Sequence, residues 1–160
     1  MSKNKIPATP ALHALKRAGV AFTPHVYDYL EHGGTAEAAR QLGVDEHAVI
    51  KTLVMAGPDK KPFVVLMHGD QEVSTKALAR QLGLKQVEPC SERDAQRHTG
   101  YQVGGISPFG QRKKLPVYVE KGILELDTLL INAGKRGLLV EISPAVLREL
   151  LNPTPVEAAI

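Results

Sequence analysis

Residues 49–68 read VIKTLVMAGPDKKPFVVLMH, and this stretch decides the fold class. Two apolar runs, Val49 to Ala56 and Pro62 to His68, flank the turn-forming segment Gly57-Pro58-Asp59-Lys60-Lys61. That pattern predicts a β-hairpin with a five-residue loop. Towards the C-terminus, Ser74 is placed to cap a helix through Leu82, which Gly83 stops. Ser91, with Asp94 three residues on, resembles a capping box opening a helix to about His98. Gly100 to Pro116, with glycines at 100, 104, 105 and 110, reads as a structured loop. Strands are expected at Val117–Val119, Thr128–Asn132 and Leu138–Ile142. Ser143-Pro144 starts a last helix to Leu151, and the Pro153/Pro155 tail is expected to fray. Towards the N-terminus, Asp45 can cap one turn, and Thr35 is placed to open a helix over 36–42 that Gly43 ends. Val20 to Tyr29 reads as an edge strand broken at Pro24. Thr9-Pro10 opens a first helix, with Leu12, Leu15 and Ala18 on one face and Gly19 at its end. Strands and helices mix without regular βαβ alternation. The expected class is therefore α/β of an α+β-like kind, with a mixed sheet.

The chain's 160 residues suit one domain, 1–160, with no linker or low-complexity stretch. The echo of ARQLG at 39–43 and 79–83 falls at two helix C-termini, where those residue types are expected anyway. A hydrophobic share of 43% and a charged share of 23% exclude a disordered or fibrous chain. One cysteine excludes an intramolecular disulfide framework and suits a reducing compartment. The opening residues carry charge without an apolar core, and no apolar run approaches membrane-spanning length, so a cytoplasmic location and no membrane partner are expected. A net charge of +3 and 4% aromatics argue against DNA binding and against a surface stacking many bases in a row. A short anionic ligand remains compatible.

Lys51 lies inside the strand pattern VIKTLVM. It is either a solvated lysine on an edge strand or an ammonium at a cleft floor, where burial strengthens its pull on an anion. Thr52 beside it is expected on the opposite face. The loop Gly100 to Gly110 is either a plain glycine-rich turn or an anion-binding concavity of free N–H groups, with Ser107 adding a hydroxyl and Pro108 fixing the chain direction. It matches neither the P-loop nor the dinucleotide fingerprint. Basic clusters at Arg112-Lys113-Lys114 and Lys135-Arg136 both adjoin glycine loops. Six histidines show no metal-ligand spacing, so neither a metal nor another cofactor is expected. Cys90, just ahead of Ser91, could be acidified slightly by the helix N-terminus. No Ser/His/Asp triad is legible.

Lys51-Thr52-Leu53, the string TGYQVGGISPFG over 99–110, and Gly134-Lys135-Arg136-Gly137, in that order, resemble the YbaK family. These are bacterial Cys-tRNA(Pro) deacylases related to the editing domain of prolyl-tRNA synthetase. The resemblance implies a compact domain whose central, mixed, partly barrel-like sheet is ringed by helices. It implies release of cysteine wrongly attached to tRNA(Pro), with some action on Cys-tRNA(Cys), through attack of the substrate's own thiol on its ester. A tethered thiol has a high effective molarity, which would account for a missing protein nucleophile. On the matching positions, Lys51 would orient the ribose-phosphate end. Gly104, Gly105, Ile106 and Ser107 would bind the carbonyl and amino-acid end, with Gly105 and Ser107 in catalytic roles beside Lys51. Tyr27, Thr52, Pro108, Gly134, Lys135 and Arg136 would complete substrate binding. Implied partners are the 3′ end of an aminoacyl-tRNA and prolyl-tRNA synthetase in a ternary complex. The chain departs from close relatives at His32-Gly33-Gly34, where they carry an aromatic residue, and at Leu139, where an acidic residue can stand. Those departures bear on amino-acid preference. Within the family, an editor of Ala-tRNA(Pro) using water is the alternative; outside it, a non-catalytic tRNA- or synthetase-binding module.

Overall fold

A computed structural model describes residues 5–160, so the first four positions of the expected domain lie outside the described residues. Helix α1 (Pro10–Ala18) is capped by the Thr9 hydroxyl, which accepts from Leu12 N–H, and ends at Gly19 in the left-handed region. Strand β1 (Thr23–Val26) follows, shorter than the expected run to Tyr29. Helix α2 (Gly34–Leu42) has no side-chain cap. Thr35 does not open it. Its hydroxyl instead donates towards Glu46 Oε2 and Gly69 O, tying the helix start to neighbouring segments. Asp45 caps a single 3-10 turn, as its position predicts.

The hairpin forms as read, with β2 (Val49–Ala56) antiparallel to β3 (Pro62–His68) from the Ile50–His68 pair to the Ala56–Pro62 pair. Then come α3 (Thr75–Leu82), β4 (Glu88–Pro89), α4 (Glu92–Thr99) and the loop 100–116. Strands β5 (Val117–Glu120), β6 (Leu129–Lys135) and β7 (Leu138–Ile142) precede α5 (Pro144–Leu151) and β8 (Thr154–Val156). The sheet order is β1-β7-β6-β2-β3-β5-β8, with β4 alongside β2. Pairings β2/β6, β3/β5 and β5/β8 are parallel and the rest antiparallel, so the sheet is mixed as expected.

Alternation along β3 sorts the core into layers, because successive side chains leave a strand on opposite faces. Val64 and Leu66 join the main core with Leu15, Ile131, Val140 and Leu147. Phe63 and Val65 join a second cluster with Leu78 and Val156. A third, smaller cluster packs Ala38 and Ala39 of α2 on Val49, Leu130 and Leu139.

Two expectations are overturned. The edge-strand reading of Lys51 fails because β2 lies inside the sheet, with β3 on one side and β6 and β4 on the other. The tail does not fray. Two prolines cost it little, because β8 lies at the end of the sheet, where missing N–H groups leave no ladder partner unpaired. Val156 is buried, Glu120 accepts from Ala158 N–H at 2.7 Å, and Glu72 and Ile160 exchange backbone hydrogen bonds. Val156→Ala should therefore lower the unfolding free energy by about 2 kcal/mol in a denaturant titration. An unchanged midpoint would mean that the tail does not belong to the core.

Candidate active site

The register of β2 opens the sheet. On the edge away from β3, β6 pairs only with Val49 and Ile50, and β4 pairs only with Met55 and Ala56. Between these pairings, Lys51, Thr52 and Leu53 have no strand partner on that edge. They are also the half-buried residues of a strand that is buried at both ends. β6 turns away through an irregularity between Asn132 and Lys135, where its pairing with β7 shifts register.

A cavity of about 400 Å³ fills this splay, a size ordinary for small-ligand sites. Its floor is the run Val49 to Leu53, and its walls are Val103, Gly104 and Ile106 of the loop, Asn132 of β6 and Leu139 of β7. Tyr27, Tyr29, Leu30 and His32 close it from the segment after β1, and Gly34, Thr35, Glu37 and Ala38 close it from α2. Since consecutive strand residues alternate faces, the lining by all of Val49–Leu53 means that the strand offers backbone as well as side chains. Thr52, expected on the face away from Lys51, thus shares the cavity with it. Its Oγ1 is buried without a hydrogen-bond partner among the described residues. Lys51 Nζ lies 3.0 Å from Glu72 Oε2, with the lysine side chain 19% exposed and the glutamate 79%. An exposed carboxylate contributes little to such a pair and can yield its place to an anionic ligand.

The loop holds its shape through its own polar groups. Tyr101 Oη donates to Phe109 O at 2.6 Å, and burial pushes this phenol up to about 12, so it stays a neutral donor. Gly105 N–H donates to Gln102 O, and Asn132 Nδ2 donates to Gly104 O. Gly104 adopts φ +93°, and a Cβ there would meet Tyr29 Oη at 2.7 Å. A Cβ on Gly105 would meet Arg136 N and Lys135 C at 2.8 Å, so the loop backbone lies directly on the β6–β7 turn. Arg136 Nε donates to Val103 O, and its guanidinium stands 5.1 Å over the Tyr29 ring.

These contacts divide the residues singled out from sequence. Lys51, Thr52, Tyr27, Gly104 and Ile106 line the cavity, as do Gly34 and Leu139, the positions of departure. Gly105, Ser107, Pro108, Gly134, Lys135 and Arg136 do not. Gly105 and Arg136 support the wall from behind. Ser107 is fully buried, and its Oγ accepts from Phe109 N–H, fixing the turn. Pro108 borders a separate cavity against α1 and α5. A Cβ on Gly134 would meet the Tyr101 ring at 2.8 Å, so that glycine makes room for the tyrosine that holds the loop. Sequence reading missed Tyr29, Asn132 and Glu72. Only Asn132 carried a signal, a short polar residue inside a strand pattern two positions ahead of Gly134. His32, at φ +64°, holds a conformation uncommon outside glycine at the cavity mouth. The Tyr27 phenol is held above its ordinary range by burial and by Tyr29.

Cys90 departs from its expected behaviour. Loss of hydration on burial, reinforced by Asp94, pushes its thiol up rather than down. No group of three or more His, Cys, Asp or Glu residues among those described could hold a metal ion. Alkylation of Cys90 at pH 8 should run slower than that of free cysteine, and Cys90→Ser should keep full turnover. Rapid alkylation with loss of activity would make Cys90 a participant.

Known proteins show which family has this sequence and fold. The family model "Aminoacyl-tRNA editing domain" matches residues 31–150. Over 154 residues the chain is 32% identical to an Enterococcus faecalis protein named "Putative Cys-tRNA(Pro)/Cys-tRNA(Cys) deacylase EbsC", covering 95% of this chain and 94% of that one. It is 27% identical over 105 residues to the proline--tRNA ligase of Limosilactobacillus fermentum, covering 63% of this chain and 18% of the ligase. Its fold matches a crystal structure described as "a putative trans-editing enzyme for prolyl tRNA synthetase" with TM-score 0.85 at 20% identity, over 97% of this chain and 99% of that one. The motifs, the fold and the matched span together make this chain a member of the aminoacyl-tRNA editing domain family.

Proposed function

We propose that the protein is a cytoplasmic trans-editing deacylase that removes cysteine from Cys-tRNA(Pro), and from Cys-tRNA(Cys), by a lyase-type step using the substrate's own thiol. The observation that carries this reading is a cavity with an ammonium at its floor and a glycine-loop backbone at its wall, whose lining includes no serine or cysteine. Lys51 Nζ leaves exposed Glu72 to hold the terminal ribose-phosphate oxygens. Thr52 lines the floor beside Lys51. Gly105 N–H is already bound to Gln102 O, so the carbonyl falls to the amides of the lining residues Gly104 and Ile106. Neither amide donates elsewhere among the described residues.

The cysteinyl sulfur attacks the ester carbonyl. The S–C bond forms, negative charge builds on the carbonyl oxygen beside those two amides, and the C–O bond to the terminal ribose breaks. The thiol proton ends on the ribose hydroxyl, and cysteine thiolactone leaves without consuming water. Fixed amides aimed at a developing oxyanion are worth about a hundred- to a thousandfold each in comparable sites, and the tethered thiol supplies proximity. With a net charge of +3, unaided tRNA affinity is modest. Selection of tRNA(Pro) is accordingly assigned to prolyl-tRNA synthetase in a ternary complex, and the isolated protein should treat both cysteinyl-tRNAs alike.

Deacylation of Cys-, Ala- and Pro-tRNA(Pro) by wild type and Lys51→Ala tests this. Only the cysteinyl ester should be cleaved, with a loss of at least a hundredfold in the variant and a melting temperature within a few degrees of wild type. Cleavage of the alanyl ester would instead indicate an editor using water. Cleavage of none would leave a binding module.

A further inference from the structure

Charge is modest overall but unevenly placed. From Ala95 to Val119 the chain carries no Asp or Glu, while it carries Arg97, Arg112, Lys113 and Lys114. The same holds from Thr128 to Val140, which contains Lys135 and Arg136. The fold joins these two segments along one face. Arg136 binds Val103 O beside the cavity, and Val103 N–H donates to Gln96 of α4. Gly100, at the end of α4, faces Arg112, whose N–H donates to Thr99 O. Lys113 N–H donates to His98 O, and Lys113 Nζ lies 3.3 Å from His98 Nδ1. Arg112, Lys113, Lys114, Lys135 and Arg136 are exposed, and none joins an ion pair among the described residues. Arg97 pairs with Asp94 at 2.9 Å. Burial, then Lys113 and Arg97, lower the basicity of His98, the response expected of a base among cations.

We infer that this strip, from Arg136 over the cavity-lining Tyr29 ring past Gly100 to Arg112 and Lys113 beside His98, is the track on which the sugar-phosphate backbone of the RNA acceptor stem lies. The inference rests on the editing reading of the adjoining cavity and adds the surface that reads the rest of the substrate. Unpaired cations on an exposed face have little else to neutralise them, and the strip adjoins the cavity wall through the Arg136 bond to Val103 O. Such contacts are sequence-independent and reveal themselves through salt dependence. They would leave discrimination between tRNAs to another protein.

The test uses Arg112→Gln/Lys113→Gln, which leaves the cavity lining and the loop's backbone hydrogen bonds in place and removes only the Arg112 Nη1 contact to Arg97 O at 3.4 Å and the Lys113 contact to His98. Two readouts are compared with wild type: binding of an uncharged hairpin RNA of acceptor-stem sequence ending in CCA across a salt series, and the KM for Cys-tRNA(Pro) against that for a cysteinyl-CCA trinucleotide. The slope of log affinity against log salt should fall by about 2, one unit for each lost phosphate contact. KM for the full tRNA should rise about tenfold, while the trinucleotide is cleaved as by wild type. An unchanged salt slope, or an equal loss on both substrates, would overturn the track. If wild type cleaves neither substrate, the editing reading fails, and the hairpin-binding series still decides whether this face holds RNA.

Discussion

The site depends on one backbone contact. The loop at Gly105 lies so close to the β6–β7 turn that a single added carbon would come within 2.8 Å of Arg136 N and Lys135 C. That approach sets where the cavity-lining residues Gly104 and Ile106 stand. It also explains why two sequence-distant glycine segments occur in one chain: one is the wall and the other its buttress. Gly134 belongs to the same arrangement by admitting the Tyr101 ring, whose hydroxyl closes the loop on Phe109 O. Preorganisation of this kind removes the need for the wall to reorganise as charge develops.

The second constraint is the splay of the sheet. A central strand usually has both edges paired, and the gap at Lys51–Leu53 would leave backbone groups without ladder partners inside a sheet. Here the gap opens onto a cavity instead of closing over core. Lys51 reaches the same opening while most of its side chain is covered, so an anion meets its charge with less screening than on an open surface. Glu72 stands at the exposed end of that pair, where solvent already weakens it.

Much of this was legible in the sequence where a residue acts on its near neighbours. The caps at Thr9, Asp45, Ser74, Ser91 and Ser143 all accept the backbone N–H groups their positions predict. The hairpin followed from two β-type runs and a turn. What stayed hidden depends on distant partners. Thr35 looks like a cap but bonds to Glu46 and Gly69 across the fold. The Pro153/Pro155 tail looks unable to pair, yet it finds the sheet's end. Cys90 sits before a helix, but burial and Asp94 raise its thiol. The division of the glycine strings into wall and support was equally invisible, because the motif shows which residues are small and not which side of the backbone faces the ligand.

The cavity lining includes neither serine nor cysteine. On the proposed reading, Lys51 and two loop amides hold the ester and stabilise charge, and the attacking atom comes from the bound amino acid itself. The order of product release tests this most directly. Single-turnover cleavage of Cys-tRNA(Pro) in ¹⁸O-labelled water, quenched over time and read by mass, should give unlabelled cysteine thiolactone first. Free cysteine bearing solvent oxygen should follow only as the thiolactone hydrolyses. Labelled cysteine at the earliest time points, with no thiolactone before it, would show that water attacks the ester and would contradict the account.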